Sequence, residues 1–396
     1  MNVFEKERFH ISWKNRMASI DRNQWDNIAH TLKSPFLEWD WLHQMEISGS
    51  IIEKNGWIPY HLTVWTGKEL VAGAPLYIKI HSEGEFVYDY AWADIASRLG
   101  IRYYPKLVGM SPVTPVVGYR FLIAPGIDEI EMTQLMVKTI DRFCVNHGLS
   151  GSHFLFVEPD WKDIMERTGY YSWAHQSFIW ENRGFKSFED YLVQFNTNQR
   201  RNIRREQIAM EKQGLLLKTF SGDGIPMDFL SLMFSYYVNT NDKFGPWGCK
   251  YLTRNFFEGL YDSYRHRLLL VSAFEKSNRK TPSGMALFVV KNDQLYGRYW
   301  GCHKKFDALH FNVCYYQPIQ WAIENNIKNY NPGAGGAHKV RRGFQSVPSY
   351  SLMRFYHPKL QNVMTRHIDE INRLEQEEID HMNLKLPFVS NNSFNG

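Results

Sequence analysis

The chain has 396 residues, of which 44% are hydrophobic and 22% charged. That excludes a disordered or collagen-like polymer and, at roughly 150 residues per domain, leaves room for two to three domains. The 46 Lys+Arg against 41 Asp+Glu give a net charge of +5, enough for an anionic ligand but not for a nucleic-acid coat.

The four cysteines (Cys144, Cys249, Cys302, Cys314) show no CxxC spacing, so neither a zinc site nor a disulfide framework is expected. The N-terminus is charged from residue 5 and has no apolar signal-peptide core, and no apolar run reaches the ~18 residues of a membrane span. A cytoplasmic protein without a membrane span or a metal is expected. Aromatic residues make up 15% of the chain, more than a core needs, so some should line a pocket.

Residues 12–32 read as a short strand and a helix, and Ser34-Pro35 opens an aromatic helix. HLTVWT (61–66) and LVAGAPLYIKI (70–80) flank Gly67-Lys68-Glu69 as a hairpin. EFVYDYAWAD (85–94) reads as an aromatic strand, 102–126 as Pro/Gly-rich loop and strand, 128–147 as a helix and 152–158 as a buried strand. A second unit begins near Trp173. Its strand SFIWENRG leads to a helix with Ser187 as N-cap and Asp190 completing a capping box.

The basic helix 198–214 ends at Gly214, and the strand LLLKTF follows. Helices are expected over 226–240 and 252–265, then three strands across 266–302. HFNVCYYQPIQWAIENN is a helix kinked by Pro318, KNYNPGAG a strand running into a Gly-rich loop, and 358–383 a charged amphipathic helix before a frayed last dozen residues. Two stretches look alike. In each, a Gly leads an apolar strand and a polar hairpin, and the stretch closes on Trp92 or Trp300. The expectation is α+β: two similar fused domains, 1–170 and 171–358, with a tail at 359–396. Each would have a mostly antiparallel sheet flanked by helices.

Four constellations could carry chemistry. In NPGAGGAHKVRRGF, Gly333, Gly335 and Gly336 let backbone approach a ligand, while His338, Lys339, Arg341 and Arg342 supply a titratable group and three cations. The loop lacks a P-loop ending, and a flexible loop with solvated charges is the plainer reading. In YGRYWGC and LHF, Arg298, Tyr299 and Trp300 close a strand and His310 opens a helix, where it could be a general base or a core histidine. Tyr88, Asp89, Trp92 and Asp94 form a third group: Asp94 could be a base, or simply close a turn.

Arg200, Arg201, Arg204 and Arg205 form two i,i+4 pairs of like charge. They suit a phosphate-rich partner, or else a solvated face paired with Glu206 and Glu211. RYYPK (102–106) is a smaller basic-aromatic patch. No GxSxG, HExxH or kinase signature is present, nor a dinucleotide fingerprint.

The segments SPFLEWDWLHQMEISGS, APLYIKIHSEGEFVYDYAWAD, RRNIRRE, LYGRYWGC, LHFNVCYYQ and GAGGAHKVRRGF resemble, in this order, the FemAB-like peptidoglycan biosynthesis/recognition proteins. These are N-acyltransferases of the GNAT superfamily. The resemblance covers about residues 34–358. It implies two tandem GNAT-like domains and transfer of an acyl or aminoacyl group to an amine acceptor, small or peptide, such as a cell-wall precursor. The donor would be acyl-CoA or aminoacyl-tRNA.

On that footing His310 or Asp94 would act as base and Tyr299 as acid to the leaving group. Gly333, Gly335, Gly336, His338, Lys339, Arg341 and Arg342 would bind the donor. Arg200, Arg201, Arg204 and Arg205 would bind a polyanion, tRNA more naturally than CoA. Tyr88, Asp89, Trp92, Arg298 and Trp300 would line the pocket. Where the family pattern reads GAQGEHK and LHFE, this chain has Gly335, Ala337 and Asn312, so two carboxylates are missing. Their absence favours an alternative, a catalytically silent protein that recognises a cell-wall or polyamine-like ligand.

Overall fold

The computed structural model describes residues 9–245 and 248–389. The chain divides into two compact units. One holds the residues up to 175 with 251–256 and 348–376; the other holds 176–250, 257–347 and the residues from 377 on. The division is therefore not collinear with the sequence, because 348–376 rejoins the first unit after the second has been built. The frayed end expected over the last dozen residues falls mostly outside the described residues.

In the first unit the hairpin forms where alternation and Gly67 place it. His61–Thr66 pairs antiparallel with Glu69–Ala74, and Gly67 takes a φ of 58° in the turn. His10–Lys14 and Leu122–Ile123 complete this sheet. A second sheet runs through Trp57–Pro59, Leu76–Lys79, Lys106–Gly109 and Gly151–Val157, which pairs in turn with 350–355. Its pair Lys106–Gly109 and Gly151–Val157 is parallel and needs a crossover, which the helix Glu129–Asn146 supplies. Asp128 caps that helix by accepting from the Glu131 amide.

Residues 85–94 are not a strand. They form a loop that leads into the helix Tyr90–Arg98. The cause is Lys106, which is fully buried. Its Nζ donates to Glu85 at 2.8 Å, Asp89 at 2.5 Å and Ser82 at 2.9 Å. On an extended strand Glu85 and Asp89 would lie roughly 13 Å apart and could not share one ammonium. Burial pushes the Glu85 carboxyl up. Burial acts the same way on Asp89, but the Lys106 charge and the bonds donated by Lys106 and Tyr103 outweigh it and hold that carboxyl low. Trp92 consequently belongs to a core cluster with Ala96, Tyr103 and Phe355 rather than to a pocket wall. RYYPK is no surface patch either, since Tyr103 and Lys106 are buried.

In the second unit Leu215–Ser221, Leu268–Glu275, Gly284–Lys291 and Gln294–Cys302 form an antiparallel run. Gln294–Cys302 then pairs in parallel with Asn329–Asn331, which pairs with Trp180 and Glu181. The parallel crossover is again helical, through Leu309–Phe311, Asn312–Tyr316 and Gln317–Glu324. Both units thus follow one plan: antiparallel strands ending in a parallel pair bridged by a helix. The likeness does not extend to the residues where the hairpins look similar, because Trp92 lies on a helix and Trp300 on a strand. Ser187 caps its helix by accepting from the Asp190 amide, while Asp190 accepts from the amide of Lys186, one residue before the cap, rather than from that of Ser187 as a capping box would.

Lys106→Met leaves two buried carboxylates without their cation. A loss of about 3–5 kcal/mol is expected in urea unfolding, in line with broken buried ion pairs. A loss under about 1 kcal/mol would contradict this reading of the cluster.

Candidate active site

The site starts from a break in strand pairing. Leu287 faces Tyr299 but Phe288 faces Gly297, so Arg298 is an extra, unopposed residue, a β-bulge. On the other edge the parallel pairing ends at Tyr296 and Asn331. Pro332 follows and has no N–H to continue the ladder. The strand end 297–302 is held from behind by the helix Asp228–Asp242. Thr240 donates to the Trp300 carbonyl at 2.9 Å, and a Cβ on Gly301 would lie 2.1 Å from the Tyr236 carbonyl oxygen.

The crossover helix is distorted where it meets this opening. Pro318 cannot donate to the carbonyl four residues back, that of Cys314, and the buried Tyr330 hydroxyl donates to it instead. Asn312–Tyr316 accordingly forms a π-helical turn, a feature that recurs at functional sites. The kink expected at Pro318 is realised as this turn. It sets His310 against Trp300, ring centroids 4.4 Å apart, and 5.7 Å from His338. His338 Nε2 lies 2.9 Å from the Tyr315 hydroxyl.

Burial, then neighbouring His338, Arg342 and Lys339, lowers the His310 pKa to about 3. Burial, then the charges of Arg342 and Lys339, lowers that of His338 to about 4. Both imidazoles are therefore neutral at physiological pH. Burial also pushes the Tyr315 hydroxyl up, so it stays protonated.

The Gly-rich loop is not the triple-cation clamp that its sequence suggests. Lys339 is buried and spends its Nζ on the carbonyls of Gly333 at 2.7 Å and Ala334 at 3.0 Å. Burial lowers its pKa to about 7. Arg342 is buried as well. It bonds both Glu206 oxygens at 3.0 Å, donates to the His338 carbonyl at 3.0 Å and stacks on Phe311 at 3.4 Å. Arg341 alone of the three is exposed, beside the exposed Gly335 and Gly336. Gly336 has a φ of 93°, and the His338 ring folds over it: a Cβ there would sit 2.6 Å from the imidazole.

The helix Thr197–Lys212 has two faces. Gln199, Ile203 and Met210 point inward, and Glu206 shares that row. Arg201, Arg204 and Arg205 are exposed, with Arg200 half-buried. Together with Thr197, Ile208, Ala209, Lys212 and Asp307, these arginines line a surface groove of about 740 Å³. Arg204 pairs with Glu189. The carboxylate of Glu206 does not pair with the arginines of its own helix. It takes Arg342 and the Tyr316 hydroxyl. That inward role was missed in the sequence, although its i+3/i+4 spacing from Ile203 and Met210 could have signalled it.

The other predicted residues lie elsewhere. Tyr299 packs on Tyr237 and Phe257, with its hydroxyl 3.2 Å from Arg298. Asp94 belongs to the first unit, where it is exposed on the helix Tyr90–Arg98 and paired with Arg98. Asp89 is committed to Lys106, and Tyr88 is exposed. Asn312, standing where the family pattern has Glu, donates to the backbone carbonyls of Glu206 and Ala308. Among the described residues no cluster of His, Cys, Asp or Glu could hold a metal ion, and no helix is long and apolar enough to cross a membrane.

Two units built on one plan, with a parallel strand pairing that ends at Tyr296 and Asn331 and a histidine pair on the neighbouring turns, define the fold and the candidate site. The family described as peptidoglycan biosynthesis/recognition, FemAB-like, matches residues 16–390, and the chain belongs to it. Among solved structures, FemX matches at a TM-score of 0.53 and 12% identity, over 89% of this chain and 99% of its own. L-PGS from Bacillus licheniformis matches at 0.46 and 11%, over 82% and 95%. A tandem GNAT protein from the clavulanic acid biosynthesis pathway matches at 0.44 and 10%, over 88% and 99%. At these identities the likeness is one of fold. A search of curated proteins returns no match.

Both site histidines are depressed below the ordinary 6.5. Between about pH 6.5 and 4 the unfolded chain therefore binds protons that the folded chain refuses, so stability is lost as pH falls through this window. The double variant His310→Gln/His338→Gln should lose less stability than wild type between neutral and acidic pH in urea titrations. An equal loss would contradict the burial of these rings.

Proposed function

We propose that this protein is an N-acyltransferase that moves an aminoacyl group from the ester of an aminoacyl-tRNA to an amine on a cell-wall precursor. Acyl-CoA is the alternative donor. The observation that carries the reading is one helix, Thr197–Lys212, that presents an arginine-lined groove outward and holds the histidine-bearing turn inward. The groove is long and multivalent, which suits successive phosphates of a polynucleotide better than a single pyrophosphate. Family membership supports the transferase class and the link to peptidoglycan.

The chemistry is direct transfer in a ternary complex. The acceptor amine attacks the ester carbonyl, and a C–N bond forms as the carbonyl electrons move to oxygen. In this scheme backbone N–H groups of the exposed Gly335 and Gly336 stabilise that oxyanion. The attached ammonium is far more acidic than a free amine, so a weak base suffices to take its proton. His310 fits: it is neutral, half-buried and set between Trp300 and His338. The same proton then passes to the departing ribose oxygen as the C–O bond breaks. Tyr299 is the other candidate donor in that step. Asp94, paired with Arg98, is not assigned a role.

Arg201 and Arg205 carry the polyanion contacts in this scheme. Replacing both by Ala should reduce the slope of log affinity against log salt for bulk tRNA by about 1.5, from ~0.7–0.9 per phosphate contact. An unchanged slope would remove the groove from the donor site.

A further inference from the structure

The inward face of the arginine helix is tied to the histidine turn at two points. Gln199 Nε2 donates to the Arg341 carbonyl at 2.6 Å, and two helical turns later Glu206 grips Arg342 with both oxygens. Arg342 in turn donates to the His338 carbonyl at 3.0 Å, and its guanidinium lies flat on Phe311, one residue from His310. The Tyr316 hydroxyl donates to Glu206 from the π-helical turn. Asn312, from the same turn, donates to the Glu206 main-chain carbonyl at 3.0 Å. Glu206 thus receives bonds from both segments that carry the imidazoles, 309–316 and 337–342. Its helix neighbour Arg205 lines the groove.

We infer that Glu206 is a positioning residue for His338: acting through Arg342, it fixes the turn that carries the imidazole, so that the groove helix and the proton-accepting site respond as one piece. It touches neither donor nor acceptor. The coupling half of the inference rests on the polyanion reading of the groove; the positioning half does not. Arg342 is about 4% exposed, so a guanidinium deprived of Glu206 has no solvent to turn to within the turn and must move, taking the His338 carbonyl with it.

The test uses the full chain labelled with ¹⁵N-histidine, with the His338 signals assigned by their loss in H338N. In wild type the Tyr315 bond should hold one tautomer, giving two well-separated ring-nitrogen shifts. Glu206→Gln should collapse them toward the averaged values of an exchanging ring, and Arg342→Lys should do the same. Two dissimilar variants guard against one that merely folds poorly. Bulk tRNA should bind Glu206→Gln within about twofold of wild type, because the groove arginines are untouched. Adding tRNA should shift the His338 signals in wild type and not in Glu206→Gln. An unaltered tautomer in both variants would overturn the positioning role. The same tRNA-induced shift in wild type and Glu206→Gln would overturn the coupling. Failure of tRNA to bind wild type would remove the polyanion reading, leaving the tautomer result to judge Glu206 alone.

Discussion

One ion pair ties three segments of the second unit together, the half-buried Glu206 with the buried Arg342. The guanidinium is withdrawn from water there, and the arrangement is tolerable because both groups are multiply bonded: the carboxylate by Arg342 and Tyr316, the guanidinium by Glu206, the His338 carbonyl and the face of Phe311. Once the pair exists, the outer face of its helix is left with arginines that have no inward partner, and the Gly-rich turn is left with only one exposed cation, Arg341. The distribution of charge that looked like two independent basic clusters, 200–205 and 338–342, is better described as one anchored by the other.

A second consequence concerns the protons. Arg342 and Lys339, buried beside the histidines, reinforce the desolvation that keeps both imidazoles neutral. A neutral imidazole in a site with fixed positive charge accepts a proton best from a group that has itself become strongly acidic. The attacking amine becomes such a group after the C–N bond forms, and not before. That setting suits the order of events in the proposed transfer, attack first and proton movement second. The proposed transfer uses no carboxylate at Asn312 or Ala337. Asn312 has a structural task.

Most elements were legible from periodicity and caps. The hairpin about Gly67, the helix that Ser187 caps, the arginine helix stopping at Gly214 and the long helix Pro358–Asn383 all follow from local signals. What was not legible depended on long-range burial of charge. Residues 85–94 have the composition of a strand, and only Lys106, distant in sequence, turns them into a loop and helix. Lys339 and Arg342 look like ligand clamps because nothing local says that Gly333, Ala334 and Glu206 will claim them. The histidines His310 and His338 were identified from their setting at a strand end and a Gly-rich loop, but their proximity was not. It needs the π-helical turn that Pro318 and Tyr330 impose together.

The central claim is transfer of an aminoacyl group to an amine at the histidine pair. The most direct measurement is mass spectrometry of a muropeptide amine acceptor incubated with the full chain and either a mixed aminoacyl-tRNA pool or acetyl-CoA. The account predicts an amide-linked aminoacyl adduct from the tRNA pool, its formation lost in His310→Ala while tRNA binding is retained. Muropeptide binding with no adduct from either donor would contradict it and leave a recognition protein in its place.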